Sequence, residues 1–248
     1  YNHFDLKTAL KDLQQFSATA NPETLSNDFL LSQAKLGWII GSDVVARQSY
    51  FILYHRHALD SDGLQRLFNL QPSGAERVKL SLALAMWQRD QNTLGFLTAA
   101  EIALSLREWD TLYTLYHSPM PEIARETLSS QLSYWQLYSL YLQHASENQI
   151  AREFMLQGLL SHPQEAVFQK GYLSFLLNQT QLDLPQQDIN DLFYALAYYQ
   201  HYATSDEEWA NIYISAFTMN NELEKAGFIY QKRLPQDLDN QIFLTNYA

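Results

Sequence analysis

Residues 132–163 have the sequence LSYWQLYSLYLQHASENQIAREFMLQGLLSHP, and this stretch decides the fold. Counted from its first residue, small side chains stand at positions 8, 20 and 27, large ones at positions 4, 7, 11 and 24, and proline at position 32. The small residues are Ser139, Ala151 and Gly158, the large ones are Trp135, Tyr138, Leu142 and Met155, and the proline is Pro163. Small residues let two helices approach closely, and proline ends the second one, so the spacing predicts a helix–turn–helix unit.

The composition extends this prediction to the whole chain. Leu and Ala are abundant while Val is rare, which favours helices over strands. The 8 Gly and 7 Pro are sparse and separate the apolar segments. We therefore predict an all-α protein of about fourteen short helices, for example over 22–40 and 76–90, arranged as an α-solenoid.

The spacing in residues 132–163 resembles the tetratricopeptide repeat, a 34-residue helix pair. Similar but looser spacing predicts further repeats in one continuous solenoid, at 93–119, 132–165, 166–203 and 206–239, with a partial repeat at 241–248. Residues 1–90 are predicted to be degenerate helical repeats without the small-residue positions, or alternatively a cap of unrelated helices. The partial repeat lacks its second helix, so we expect the chain to be a fragment of a longer solenoid.

The charge is unevenly distributed. The chain has a formal net charge of -11, and residues 126–248 contribute -9 of it, with 14 acidic and 5 basic residues. The candidate acidic surface consists of Asp188, Asp191, Asp206, Glu207, Glu208, Glu222 and Glu224. These carboxylates lie in predicted first turns of helices, where they offset the helix dipole. As a surface, they would also attract a cationic partner.

Several classes of function are disfavoured. Without Cys there is no disulfide, thiol nucleophile or Cys metal site, and an acidic chain with no basic run is a poor nucleic-acid binder. His55 and His57 are two residues apart and would diverge on a helix, so they cannot chelate one metal. No catalytic signature and no apolar run long enough to span a membrane occurs. We expect no enzymatic activity and no cofactor.

The resemblance to tetratricopeptide repeats implies a protein-interaction scaffold whose first helices line a concave groove. The candidate groove contacts are Gln136, Leu140, Gln143, Lys170, Ser174, Glu207, Ile214 and Phe217. Members of the family that bind chaperone tails hold a C-terminal carboxylate with several basic residues. Only Lys170 could do so here, so a groove of this composition favours an apolar or cationic partner.

A narrower resemblance rests on the segments EWDTLYTLY (108–116), DLFYALAYYQHY (191–202) and EEWANIYISAFTMNNELEKAGFIYQKRL (207–234). These segments are similar to the periplasmic repeat region of Pel-type exopolysaccharide exporters. That resemblance implies a periplasmic scaffold in biofilm-matrix modification and export. It would recruit a polysaccharide deacetylase or hydrolase and guide a cationic polysaccharide toward an outer-membrane pore elsewhere in the full chain. The alternative is a cytoplasmic adaptor that binds a peptide segment of a partner protein.

Overall fold

The structure, a computed structural model, describes residues 5–19, 24–180, 197, 205–219 and 221–235. Those residues contain thirteen α-helices and, among them, no strand, so the all-α prediction is confirmed. The helices are α1 (Leu6–Thr19), α2 (Asn27–Ile39), α3 (Asp43–His55), α4 (Ser61–Asn69), α5 (Glu76–Asp90), α6 (Thr93–Leu106), α7 (Trp109–His117), α8 (Glu122–Ser129), α9 (Leu132–His144), α10 (Asn148–Ser161), α11 (Ala166–Thr180), α12 (Glu207–Met219) and α13 (Leu223–Arg233).

Side-chain caps fix where several helices begin. The Asn92 side chain accepts a hydrogen bond from the backbone N–H of Gly95 at 3.2 Å, which starts α6. The Ser26 hydroxyl accepts from the N–H of Phe29 in the same way, so α2 begins at Asn27. The sequence instead predicts a helix from Pro22, which lies outside the described residues.

A glycine ends α2, as the sequence predicts. Gly41 adopts a φ of 74°, in the left-handed region that glycine enters without a Cβ penalty. The N–H of Ser42 then returns to the carbonyl of Gly37 at 2.8 Å, which satisfies a helix-terminal acceptor. The chain thus reverses within a few residues, and α3 packs back along α2.

The chain divides into two compact units, residues 1–128 (unit 1) and 129–248 (unit 2). In unit 1 the most extensive helix contacts are α2 with α3 and α5 with α6. A Cβ on Gly37 would lie 3.0 Å from the backbone nitrogen of Ala46, and one on Gly95 would lie 3.0 Å from the carbonyl oxygen of Ala83. In both pairs a glycine thus lies against the main chain of the partner helix, and the reading of residues 1–90 as degenerate repeats stays a prediction.

The pairing of α6 also differs from the sequence-based repeat over 93–119. That repeat makes α6 a first helix with α7 as its partner, yet α6 packs far more extensively against α5. Counted from the first residue of α5, the eighth and twentieth positions are Ala83 and Gly95, which are the small-residue positions of the repeat. The structure therefore favours α5–α6 as the helix pair.

Unit 2 contains the pair that the opening stretch predicts. The small residue Gly158 of α10 lies against the indole of Trp135 in α9, and the buried Ser139 hydroxyl donates to the carbonyl of Ala151 at 3.2 Å. Helix α11 contacts both α9 and α12, and α12 pairs with α13. Residues 181–196 and 198–203 of the predicted repeat over 166–203 lie outside the described residues, as does the partial repeat at 241–248. The single continuous solenoid stays a prediction.

Candidate functional site

One stripe of α9 in unit 2 is turned away from the core. Gln136, Leu140 and Gln143 follow each other at spacings of four and three residues, so they share one helix face. Leu140 is 46% exposed, although it is a large apolar residue, and the two glutamines are half-buried. The neighbouring stripe, with Trp135 and Leu142, is buried. The sequence-predicted residues of α9 therefore lie together on an accessible surface.

Helix α11 lies beside this surface, because α9 and α11 are in contact. Val167, Lys170 and Ser174 share one face of α11, and Val167 is 53% exposed. The two helices approach closely where Gly171 lies against the Leu132 side chain. We call the six residues Gln136, Leu140, Gln143, Val167, Lys170 and Ser174 the first-helix face.

Lys170 joins α11 to α12. Its ammonium group lies 2.7 Å from Oδ2 of Asp206 and 2.9 Å from Oε2 of Glu208. It also lies 5.9 Å from the centre of the Trp209 ring, close enough for a cation–π interaction. Three residues predicted separately, as one groove cation and two surface carboxylates, thus form a single cluster.

Asp206 has a second role in this cluster. Its other carboxylate oxygen accepts the backbone N–H of Trp209 at 3.0 Å, which caps the start of α12. Burial alone would raise the pKa of Asp206, but the hydrogen bonds from Lys170 and from the backbone outweigh burial and lower the pKa. Burial alone would lower the pKa of Lys170, but the interactions with the two carboxylates outweigh burial and raise the pKa. Asp206 and Lys170 therefore stay charged at neutral pH.

Two predicted groove contacts are buried. Ile214 and Phe217 are only 7% and 9% exposed, so they offer little surface to a ligand. The reason is that α12 buries apolar residues around most of its circumference, including Trp209 and Tyr213. Glu207, in the first turn of α12, is exposed.

The other predicted acidic residues fall in two groups. Glu222 forms an ion pair with Lys225, whose ammonium lies 5.4 Å from the Phe217 ring centre, and Glu224 is exposed in the first turn of α13. Asp188 and Asp191 lie outside the described residues. The acidic surface is therefore partly compensated from within the chain, at Lys170 and at Lys225.

Every basic residue of 126–248 has a partner inside the chain. Lys170 and Lys225 pair with carboxylates, Lys232 lies 5.4 Å from the centre of the Phe228 ring, and Arg152 and Arg233 also interact within the chain. The first-helix face thus contains exposed aliphatic side chains, amide side chains and Lys170, which is paired with carboxylates of the same chain. Such a surface can bind apolar and neutral groups.

Sequence reasoning missed a second partly exposed cluster, in unit 1. The Arg66 guanidinium lies 5.9 Å from the ring centre of Trp38 and forms an ion pair with Asp62 at 2.9 Å. Trp38 is 36% exposed, at the end of α2. The sequence signal was present, since an Asp four residues before an Arg on one helix predicts such a pair.

Two further features of the described ranges bear on function. Among those residues, no group of three or more His, Cys, Asp or Glu side chains is placed to hold a metal ion. Within the same residues, no helix combines the length and the apolar character that a bilayer crossing needs.

Comparison with known proteins gives one family and one fold. The profile of the family described as "Tetratricopeptide repeat" matches residues 1–248. No curated protein matches the sequence. A crystal structure of a tetratricopeptide repeat protein from Parabacteroides merdae is similar over 98% of this chain and 91% of that one, with a TM-score of 0.50 and 10% identity. At that identity the likeness shows the fold alone. Repeats of this family indicate a protein-interaction scaffold and are generally non-enzymatic.

Proposed function

Because the chain belongs to the tetratricopeptide-repeat family, we propose that it is a scaffold whose unit 2 binds an extended peptide segment of a partner protein on the first-helix face. The observation that carries the proposal is the exposure of Leu140 and Val167 on two adjacent helices. Amide side chains accompany them at Gln136 and Gln143.

The chemistry of these residues suits a peptide. Covering exposed aliphatic side chains stabilises a complex by about 25 cal/mol per Å² of apolar surface removed from water. Glutamine offers both a carbonyl acceptor and N–H donors, which match the backbone groups of an extended segment. A ligand backbone can therefore be satisfied by Gln136 and Gln143 while its apolar side chains contact Leu140 and Val167.

The narrower proposal, a periplasmic role in exopolysaccharide export, rests on sequence resemblance, and neither comparison supports it. It requires a cationic glycan to bind the acidic surface of unit 2. Glu208 belongs to that surface, and its side chain is 76% exposed. Chitosan oligomers are a suitable probe. Salt-sensitive binding that weakens in Glu208→Gln would favour the export role, and absence of binding at low salt would count against it.

A displayed peptide library selected on the whole chain tests the scaffold proposal. Leu140→Asp puts a charge in the centre of the first-helix face and should abolish binding of the selected peptides. Leu160→Asp is the matched control, because Leu160 is 67% exposed on α10, the other helix of the same pair. It should leave their affinity unchanged.

Circular dichroism and thermal unfolding of both variants show whether each one is folded. The proposal fails if the selected peptides bind both variants as tightly as they bind the unsubstituted chain. It also fails if Leu160→Asp weakens binding as strongly as Leu140→Asp does.

A further inference from the structure

The surroundings of Lys170 differ from those of a lysine that is open to a ligand. Its side chain is only 15% exposed. A lysine ammonium has three N–H donors. Asp206 and Glu208 accept two of them at 2.7 and 2.9 Å, and the ammonium also lies over the Trp209 ring. Two of its three donors are thus directed to carboxylates of the chain itself.

The local charge balance around Lys170 is negative. Asp206, Glu207 and Glu208 stand at the start of α12, and they outnumber the one lysine beside them. The positive end of the α12 dipole offsets part of this charge. A ligand carboxylate that approached Lys170 would therefore meet carboxylates of the same sign and would have to displace one of them.

We infer that Lys170 determines the specificity of the first-helix face because it is sequestered by Asp206 and Glu208. Held by these carboxylates, Lys170 cannot bind a carboxylate of a ligand. The first-helix face therefore selects neutral and basic peptide segments. This inference rests on the proposed function. A ligand carboxylate would form the same kind of charge-assisted hydrogen bond with Lys170, so the exchange gains nothing and leaves the displaced carboxylate unpaired beside a like charge. Like charges near one another also reject a wrong partner.

Two substitutions release the lysine without removing the start of α12. In the double variant Asp206→Asn/Glu208→Gln, the asparagine still caps the Trp209 N–H, because Asn and Asp cap about equally well. Lys170 then keeps its position and loses both carboxylates. The third substitution, Lys170→Met, keeps most of the aliphatic stem and removes the charge.

The probes are two labelled dodecapeptides with the same leucine spacing, one with glutamate and one with lysine at the intervening positions. Fluorescence anisotropy at low salt measures their affinities for the whole chain. For the unsubstituted chain we expect the lysine peptide to bind more tightly. In the double variant the glutamate peptide should gain affinity by about tenfold, equivalent to about 1.4 kcal/mol. Adding Lys170→Met to the double variant should abolish that gain.

A matched control separates sequestration from a general change in charge. Glu222→Gln/Glu224→Gln removes two carboxylates, as the double variant does, one of them from the ion pair with Lys225, and should leave the preference between the two peptides unchanged. A gain of the same size in this control would overturn the inference, since net charge alone would then explain it.

A second measurement needs no peptide. Acetylation of lysines by a water-soluble succinimidyl ester, followed by mass spectrometry, reports the accessibility of each ammonium. Lys225 is the internal reference, because its side chain is 61% exposed. We expect Lys170 to react more slowly than Lys225, and to react at least about fivefold faster in the double variant, consistent with the loss of two charge-assisted bonds. Equal rates in both proteins would overturn sequestration.

The outcomes distinguish the two proposals. If both peptides bind and the double variant shows no change in preference, the inference about Lys170 fails while the peptide-binding face stands. If neither peptide binds, or if Leu140→Asp leaves the binding of both unchanged, the proposed function fails and the inference fails with it.

Discussion

The pairs α5–α6 and α9–α10 use a glycine at the helix contact in different ways. A Cβ on Gly95 would lie 3.0 Å from both the carbonyl oxygen of Ala83 and the backbone nitrogen of Trp87. A Cβ on Gly158 would instead lie 2.8 Å from two ring atoms of Trp135. In the first pair the glycine meets the main chain, whereas in the second it meets a side chain.

The difference has a physical consequence. Main-chain atoms of a helix cannot move without breaking hydrogen bonds, so the contact at Gly95 has little room to relax. The contact at Gly158 depends on Trp135, whose ring also packs on Phe154 at 4.6 Å and whose N–H donates to the Ser129 carbonyl at 2.8 Å. Unit 1 thus relies on close backbones at α5–α6, and unit 2 relies on one anchored aromatic side chain at α9–α10.

The largest expected effect follows from removing that aromatic anchor. Trp135→Ala should lower the free energy of unfolding of α9–α10 by about 4 kcal/mol, because it leaves a cavity and an unpaired carbonyl. Hydrogen exchange of peptides from 132–161 measures this loss of stability in α9–α10. Trp38→Ala is the control, since Trp38 is 36% exposed, and should cost much less. Equal losses in the two variants would contradict the anchor.

The next effect tests the comparison directly. Gly95→Ala should destabilise α5–α6 by about 2 kcal/mol through overpacking. Met86→Ala should not restore the loss, because alanine keeps the Cβ of Met86, which lies 2.9 Å from the added methyl group, and the backbone atoms of Ala83 and Trp87 also remain. Gly158→Ala should also destabilise its pair.

In contrast, Gly158→Ala should cost little when Trp135 is already leucine. The two double-mutant cycles are measured by local hydrogen exchange. A rescue at Gly95, or no rescue at Gly158, would contradict the distinction between backbone and side-chain contacts.

A smaller effect concerns helix caps in unit 1. Asn92→Ala should cost about 1 kcal/mol, because the Gly95 N–H loses its acceptor. Ser42 is the matched control: it stands at the start of α3 but makes no side-chain capping hydrogen bond, so Ser42→Ala should be close to neutral. Urea unfolding followed by circular dichroism compares the two, and equal losses would rule out the assigned role of Asn92.

The smallest effect is the pH dependence of unit 2. The folded chain lowers the pKa of Asp206, so its contribution is present above the usual carboxyl pKa of about 4 and is lost as the pH falls through the lowered folded value. Asp206 is partly exposed, so we expect less than about 1 kcal/mol. Asp206→Asn should flatten this part of the stability profile between neutral pH and pH 3, and an unchanged slope would contradict the assignment.

The sequence predicted α9–α10 well because several constraints coincide there. Small residues, large residues and a proline all stand at the repeat positions, and Ser139, Ala151 and Gly158 indeed lie at the contact of the two helices. The pair α5–α6 was missed because its fourth position is Lys79 rather than a large apolar residue. Two small residues in an alanine-rich helix do not stand out without the structure.

The site was predictable only in part. Helical spacing puts Gln136, Leu140 and Gln143 on one face, since spacing determines which residues share a face, and their role as groove contacts stays a prediction. It could not show that Lys170 is paired, because its partners Asp206 and Glu208 lie 36 and 38 residues later along the chain. The resemblance to tetratricopeptide repeats placed Ile214 and Phe217 on the groove, although the apolar character of α12 buries them.

The most direct test of the account is hydrogen exchange of the whole chain with and without a peptide selected from the displayed library. The account predicts that the peptide protects backbone amides in α9 and α11, and that Leu140→Asp removes this protection while Leu160→Asp preserves it. Protection confined to α2 and α3, with α9 and α11 unchanged, would contradict the assignment of the binding surface to unit 2.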